Sequence, residues 1–275
     1  MKVKYISDLH LGREYSNLLV LKYIQEHPTD VADVLVIAGD LCPILRLKNF
    51  ASQDDVLFKF INWCHNNFQK TIIVPGNHEF YDGSELSEFS VHGYRYELTD
   101  KVIITNNSTE RIGDASIYSD EVFFVCSTMW SNVSEQNIPY VNSYMNDTRL
   151  IRWHGEKFSA DRFQLVHAEC RDSIVSDLTN LRRMGVPSCK IVVVTHHCPS
   201  ALCENPIHKG GRLTTAFIAD DMQDIISEFS PAYWIYGHTH YNKDIDLCDT
   251  HIVSNQMGYN PKESNDFSFG KCFFI

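Results

Sequence analysis

The chain has 275 residues, 44% of them hydrophobic, enough apolar material to bury one large core without a disulfide or metal scaffold, so a single domain over residues 1–275 is expected. The formal net charge of -11 disfavours a protein whose affinity comes from neutralising many backbone phosphates, and long nucleic acid is not the expected partner, although bound divalent ions would add local positive charge that a side-chain count omits. Nine cysteines, an odd number without a Cys-x-x-Cys pair, indicate neither a disulfide framework nor a thiolate zinc site, and they read as reduced, mostly buried thiols.

The opening residues reach Asp8 too early for the apolar stretch of a secretory signal, and no run approaches membrane-spanning length. The cytoplasm is therefore the expected compartment, with no membrane partner. Residues 3–6, 34–38 and 71–74 are short, β-branched apolar runs that predict strands. Between them, the region 18–21 and the set Val56, Leu57, Phe60, Ile61, Trp63 and Cys64 carry apolar residues at helical spacing, so the first half reads as two βαβ crossovers. The tract from Trp130 to Trp153, rich in Asn, Ser and Tyr, reads as irregular. Phe163, Val166, Cys170, Ile174, Leu178 and Leu181 form a three-and-four stripe closed by Gly185 and Pro187, which predicts a helix. Residues 190–195 follow as a strand, 217–229 as a helix, 232–236 as a strand, and 250–254 and 271–275 as two late strands. Strands alternating with helical segments make an α/β protein.

Ligands in open α/β sheets collect at the carboxyl ends of the strands, and chemistry-bearing residues fall there repeatedly. Asp8-Leu9-His10 follows the first strand, Gly39-Asp40 the second, Gly76-Asn77-His78-Glu79 the third, His196-His197 a later one, and Gly237-His238-Thr239-His240 the next. Two carboxylates, an amide and at least four imidazoles suit borderline transition metals better than calcium or magnesium. Asp8 and His10, like His238 and His240, are two residues apart and face the same way if the backbone stays extended. Each motif alone has an ordinary reading: a pair of core or surface histidines, a turn with a capping aspartate, or an Asn in left-handed geometry. The conjunction, each member following an apolar strand, points to a metal centre.

The ordered set resembles the signature of the calcineurin-like metallophosphoesterases and covers the chain from Asp8 to His240. Softer matches at Gly76-Asn77-His78-Glu79-Phe80-Tyr81, Thr128-Met129-Trp130-Ser131, Met145-Asn146-Asp147, Val194-Thr195-His196-His197-Cys198-Pro199 and Ala216-Phe217 resemble one bacterial branch of that superfamily, of undefined substrate. The resemblance implies a four-layer α/β/β/α sandwich with two mixed sheets and two divalent ions, drawn from manganese, iron, zinc, cobalt or nickel. It implies that Asp8, His10, Asp40 and His240 surround one ion and Asp40, Asn77, His196 and His238 the other, with Asp40 bridging and His197 behind the ligands. Two such ions about 3.5–4 Å apart hold a bridging hydroxide for in-line attack on phosphorus. His78 is then left to protonate the leaving oxygen or to stabilise phosphoryl charge.

The chain departs from the phosphoprotein phosphatases of that superfamily, which continue Gly-Asp with an aspartate and an arginine where this chain reads Gly39-Asp40-Leu41-Cys42-Pro43, and which place arginine where it has Pro75. A protein phosphatase is disfavoured, and the motif does not show what orients His78. No tyrosine soon follows Asp40, unlike the purple acid phosphatases, and only a short tail follows His240, unlike the double-strand-break nucleases. The expectation is an enzyme hydrolysing a small phosphodiester or phosphomonoester. The alternatives are a nuclease acting on short or single-stranded nucleic acid, or a non-catalytic binding platform on the same fold. Arg149, Arg152, His208, Lys209 and Arg212, on segments flanking the motifs, are candidates for phosphate contacts, against an ordinary reading as surface charges. Tyr140, Tyr144 and Trp153 either stack on a base or bury against the sandwich. Oligomeric state is not legible.

Overall fold

The computed structural model describes residues 1–50, 55–113, 121–263 and 266–275. In chain order the strands are β1 (Lys2–Ile6), β2 (Val34–Ala38), β3 (Lys70–Val74), β4 (Tyr94–Glu97), β5 (Val102–Asn106), β6 (Ser108–Ile112) and β7 (Val122–Ser127), then β8 (Arg152–Trp153), β9 (Glu156–Lys157), β10 (Ile191–Thr195), β11 (Tyr233–Tyr236), β12 (Ile245–Leu247), β13 (Thr250–Ser254) and β14 (Cys272–Phe274). They form two six-stranded sheets, ordered β14-β1-β2-β3-β5-β4 and β12-β13-β11-β10-β7-β6, while β8 and β9 pair alone. Each sheet has a parallel centre and antiparallel edges: β1, β2, β3 and β5 run parallel in the first, and β7, β10, β11 and β13 in the second. The carboxyl ends of the central strands therefore gather on one side of each sheet, where an open α/β sheet places its ligands.

Alternation explains why the central strands read as unbroken apolar runs. Val34, Val36 and Ala38 of β2 face the other sheet, packing in one core with Phe124 of β7 and Val192 and Val194 of β10. Leu35 and Ile37 point the other way, into a core shared with Val20 of helix Glu14–Glu26 and Phe60 and Ile61 of helix Val56–Asn67. Both faces are buried, so no polar alternation survives in the sequence. The two crossovers from β1 to β2 and β2 to β3 are as expected. The four-layer sandwich of two mixed sheets between helices is the observed architecture. Helix Ala160–Arg183 buries the whole predicted stripe against the second sheet's outer face and stops before Gly185, whose φ of 79° suits a glycine.

Several expectations are corrected. The helix expected over 217–229 starts only at Gln223, after a short 3₁₀ turn at Asp220–Met222. Residues 217–219 are pulled out of it because the Cys198 N–H donates to the Phe217 carbonyl at 3.3 Å and the Ala219 N–H to the Cys198 carbonyl at 2.8 Å. The tract between Trp130 and Trp153 is not irregular throughout: it holds helices Ile138–Tyr144 and Asp147–Leu150, the first with Pro139 in its opening turn, where a missing N–H costs nothing. Strands β4 to β9 and β12 lie outside the expected set, although β5 and β7 are buried apolar runs of the same kind as β2. β4 is mostly exposed, and β5 turns into β6 through Asn107 alone, at φ 49°. All nine cysteines are free, six of them buried. Among the described residues no helix is long and apolar enough to cross a membrane.

The inter-sheet core yields a stability test. Phe124 is fully buried between the sheets, so Phe124→Ala is expected to lower unfolding free energy by about 3–5 kcal/mol, read from the midpoint of urea denaturation.

Candidate metal centre

The expected strand-end residues converge, but not by the expected route. Asp8 and His10 do not stay extended; both take left-handed backbone, with φ of 55° and 46°, and so do Asp40 (56°), His238 (73°) and His240 (47°). Left-handed geometry costs an L-residue roughly 1–2 kcal/mol, and its concentration here marks a site whose surroundings impose the shape. The pairs share a side through these kinks rather than through strand alternation. Backbone hydrogen bonds hold the kinked segments in place: Asp8 N–H to the Gly39 carbonyl at 3.0 Å, His10 N–H to Asp40 at 2.8 Å and Leu11 N–H to Leu41 at 2.7 Å.

Glu79, buried at 0% exposure, joins the second and third of these segments. Its Oε2 accepts the N–H groups of Asp40 (2.9 Å) and Gly76 (2.6 Å), and its Oε1 those of Leu41 (2.7 Å) and Cys42 (3.1 Å). Burial pushes its pKa up, to about 7, against the pull of the four amides. The segments approach so closely that side chains are excluded at two glycines. A Cβ on Gly39 would lie 2.1 Å from His196 Nδ1, and one on Gly76 would lie 2.2 Å from Asp40 Oδ1.

Three overlapping groups can hold a metal: Asp8, His10 and His240; His10, Asp40 and His78; and Asp40, His196 and His238. His196 Nδ1 lies 2.9 Å from the Ala38 carbonyl, which only accepts, so that nitrogen carries the proton and Nε2 turns a lone pair inward. Nε2 then faces Asn77 Oδ1 and His238 Nδ1, each at 3.1 Å, and Asp40 Oδ1 at 3.4 Å. His240 is arranged alike: Nδ1 meets Glu263 at 3.1 Å, and Nε2 faces His10 Nε2 at 3.1 Å and Asp8 Oδ1 at 3.4 Å. Asn77 is held by its amide nitrogen, which donates to Asp147 Oδ1 at 2.7 Å and Tyr81 Oη at 3.0 Å, leaving Oδ1 free to face the histidines. The Asp40 carboxyl is pushed well above the ordinary carboxylate range by burial and by the charges of Glu79 and Asp8. Facing ring nitrogens compete for single protons, and buried carboxylates repel one another; a divalent cation answers both, so the donor set fits a metal.

His78 sits at the edge of this cluster, with its N–H donating to Asp40 Oδ1 at 2.9 Å. Its Nε2 meets the hydroxyl of Tyr259 at 2.9 Å. The Tyr259 N–H donates to Glu263 Oε2 at 3.0 Å, the atom that also holds His240, and the Arg13 guanidinium covers the Tyr259 ring at 4.1 Å. Burial pushes the His78 pKa down, to about 3, so its ring is neutral at pH 7 here.

The family model of the calcineurin-like phosphoesterases matches residues 1–242. The chain belongs to this family. Uncharacterized protein L509 of Acanthamoeba polyphaga mimivirus is 26% identical over 286 residues, spanning 96% of this chain and 93% of its own. Among solved structures, the phosphopantetheinyl hydrolase of Mycobacterium tuberculosis superposes with a TM-score of 0.63 at 16% identity, over 95% of this chain and 90% of its own, and shows the shared fold. A dimetal phosphatase from Danio rerio aligns over 94% of this chain and 88% of its own, with 16% identity and a TM-score of 0.46. The family's chemistry is metal-dependent hydrolysis of phosphoesters.

A cavity of about 410 Å³ opens over the candidate metal centre, with Asp40, Asn77, His78, His238 and His240 in its lining. Of the residues expected to contact phosphate, His208 lines it. Arg149, Arg152, Lys209 and Arg212 are not among its described lining. Arg149 donates to the Ser143 carbonyl, Arg152 lies exposed on β8, and Arg212 covers the Tyr140 ring at 5.7 Å. Tyr140 and Trp153 are half-buried, whereas Tyr144 is exposed at the cavity mouth. His197 is buried behind His238, ring centroids 4.1 Å apart, with Nδ1 3.3 Å from the Thr128 carbonyl. Sequence reasoning missed the roles of Glu79 and Asp147, although both lie in quoted motifs, and missed Tyr259 and Glu263, which follow the last motif and carried no signal.

Glu79→Gln places an amide NH₂ against backbone donors. It is expected to cost about 3 kcal/mol in urea denaturation of metal-free protein and to weaken manganese binding in calorimetric titration.

Proposed function

We propose that this phosphoesterase hydrolyses a small phosphoric ester at a centre of two divalent ions. Asp8, His10, Asp40 and His240 would hold one, and Asp40, Asn77, His196 and His238 the other. The observation that carries this reading is the position of the Asp40 carboxylate between the two groups: Oδ1 faces His196 Nε2 at 3.4 Å while Oδ2 faces His10 Nε2 at 3.9 Å. The borderline donors suit manganese, iron, zinc, cobalt or nickel. When bound, such a pair acidifies a water and takes up negative charge on the phosphoryl oxygens.

The protein supplies the remaining parts. His78, at the cavity floor beside Asp40 and neutral in the empty site, is placed to hold phosphoryl charge through a ring N–H, or to protonate the leaving oxygen once the negative charge of a bound ester raises its pKa, and the Tyr259 hydroxyl fixes its ring. The reading takes residues 1–275 as one unit, since β14 closes the sheet edge beside β1. The motifs on which the likeness to a bacterial branch rests sit at this site: Asp147 holds Asn77, and Thr128 Oγ1 donates to the Pro75 carbonyl at 2.8 Å, just ahead of Gly76.

The test is hydrolysis of bis(p-nitrophenyl) phosphate beside p-nitrophenyl phosphate, using metal-stripped protein with manganese restored. Turnover is expected only with metal, and Asp40→Asn is expected to abolish it. Stoichiometric manganese binding without turnover of any ester, with any of the five metals, would sink the catalytic reading in favour of a binding platform. A second comparison isolates the acid. His78→Ala is expected to slow hydrolysis of alkyl esters by about 10²–10⁴-fold while metal binding survives. Tyr259→Phe is expected to slow alkyl esters by about tenfold and p-nitrophenyl esters far less, because a stable leaving anion needs no proton.

A further inference from the structure

Above its polar floor the cavity turns apolar. The Phe217 ring packs on the His238 imidazole, centroids 4.8 Å apart, and Ile218 and Met145 extend that surface. At the mouth, Tyr144 and Ile207 come from two separate segments and leave 61% and 82% of their surface exposed. Large apolar side chains left exposed on both lips of one cavity mark a surface awaiting an apolar group. The lips are also held at a set spacing. Arg212 reaches across to the Tyr140 ring at 5.7 Å, Asn137 Nδ2 meets Thr215 Oγ1 at 3.4 Å, and Asn205 Nδ2 donates to the Thr239 carbonyl at 3.1 Å.

The fixed charge in these walls is sparse and acidic on balance. Outside the candidate ligands the described lining carries Glu204 and Glu263 against Lys262, with Glu263 engaged by His240 and the Tyr259 N–H and Glu204 by the Gly210 N–H. Among the described residues no arginine lines the cavity. An arm bearing further phosphates or carboxylates would meet two carboxylates against the single Lys262. An uncharged apolar arm would instead exchange water for Phe217, Tyr144 and Ile207.

We propose that this site, granted the phosphoesterase reading above, takes phosphoric esters of uncharged, predominantly apolar alcohols, the apolar arm lying over Phe217 between Tyr144 and Ile207. Binding tests it without turnover. Hexylphosphonate is expected to bind the manganese-loaded full chain about tenfold more tightly than methylphosphonate, the return on burying roughly two methylenes. 5-Carboxypentylphosphonate is expected to lose that advantage. In Ile207→Asp and in Tyr144→Ser the hexyl-to-methyl affinity ratio is expected to fall toward one, a ratio in which any shared loss of fold or metal cancels. The same ratios should appear in kcat/KM for hexyl and methyl p-nitrophenyl phosphate, whose leaving group is identical. Equal affinity for hexyl and methyl, or tighter binding of the carboxylated arm, overturns the proposal while leaving the phosphoesterase reading intact if the esters turn over. If no phosphonate binds and no ester turns over, the phosphate site itself is misassigned and both readings fall.

Discussion

One buried carboxylate sets the geometry on which the rest depends. Glu79 accepts four backbone N–H groups from two loops that end neighbouring strands, and it thereby locks the Gly39-Asp40 kink to the turn carrying Asn77 and His78. Without it, those donors would be buried and unpaired, each at a cost of roughly 1–3 kcal/mol. With it, Asp40 is held in left-handed backbone, its carboxylate aimed between two groups of imidazoles. The glycines at 39 and 76 are part of the same constraint, because only a residue without Cβ lets His196 and Asp40 come so near the backbone.

Outside that clamp, two acids and a backbone carbonyl hold candidate ligand side chains by their far ends. Asp147 takes the amide nitrogen of Asn77, Glu263 takes His240 Nδ1, and the Ala38 carbonyl takes His196 Nδ1. Each leaves the opposite atom turned inward, so the donor set is oriented before any cation arrives. Preorganisation has an electrostatic consequence. Asp8, Asp40 and Glu79 lie together at almost no exposure, and their repulsion weighs on the metal-free fold. A divalent ion binding only the folded chain would relieve that repulsion and stabilise the protein by mass action, coupling metal binding to stability through the same carboxylates.

The cavity over the candidate metal centre combines two environments that meet at Phe217. On one side its ring touches the imidazole of His238; on the other it opens to the apolar lips. The segment that carries it is drawn against Cys198 by backbone pairing, which removes residues 217–219 from the following helix. The same pairing that shortens the helix therefore places the ring beside His238, a candidate metal ligand.

The sequence by itself determined the fold class and which strand ends carry the candidate ligands. Short apolar runs buried on both faces announce parallel strands, and Asp8, His10, Asp40, Asn77, His196, His238 and His240 each follow such a run, so their convergence was legible from strand order alone. The stripe from Phe163 to Leu181 was equally legible, because a helix buried along one face must repeat every three or four residues. Only the tertiary structure decided how the pairs converge, since left-handed backbone at Asp8 and His10 is imposed by hydrogen bonds to a neighbouring strand end and leaves no periodic trace. It alone brought Tyr259 to His78 across 181 positions and Glu263 to His240, contacts made by single side chains on an irregular segment. Period and spacing encode which faces are buried; they do not encode which isolated polar atoms meet when distant segments fold over a common edge.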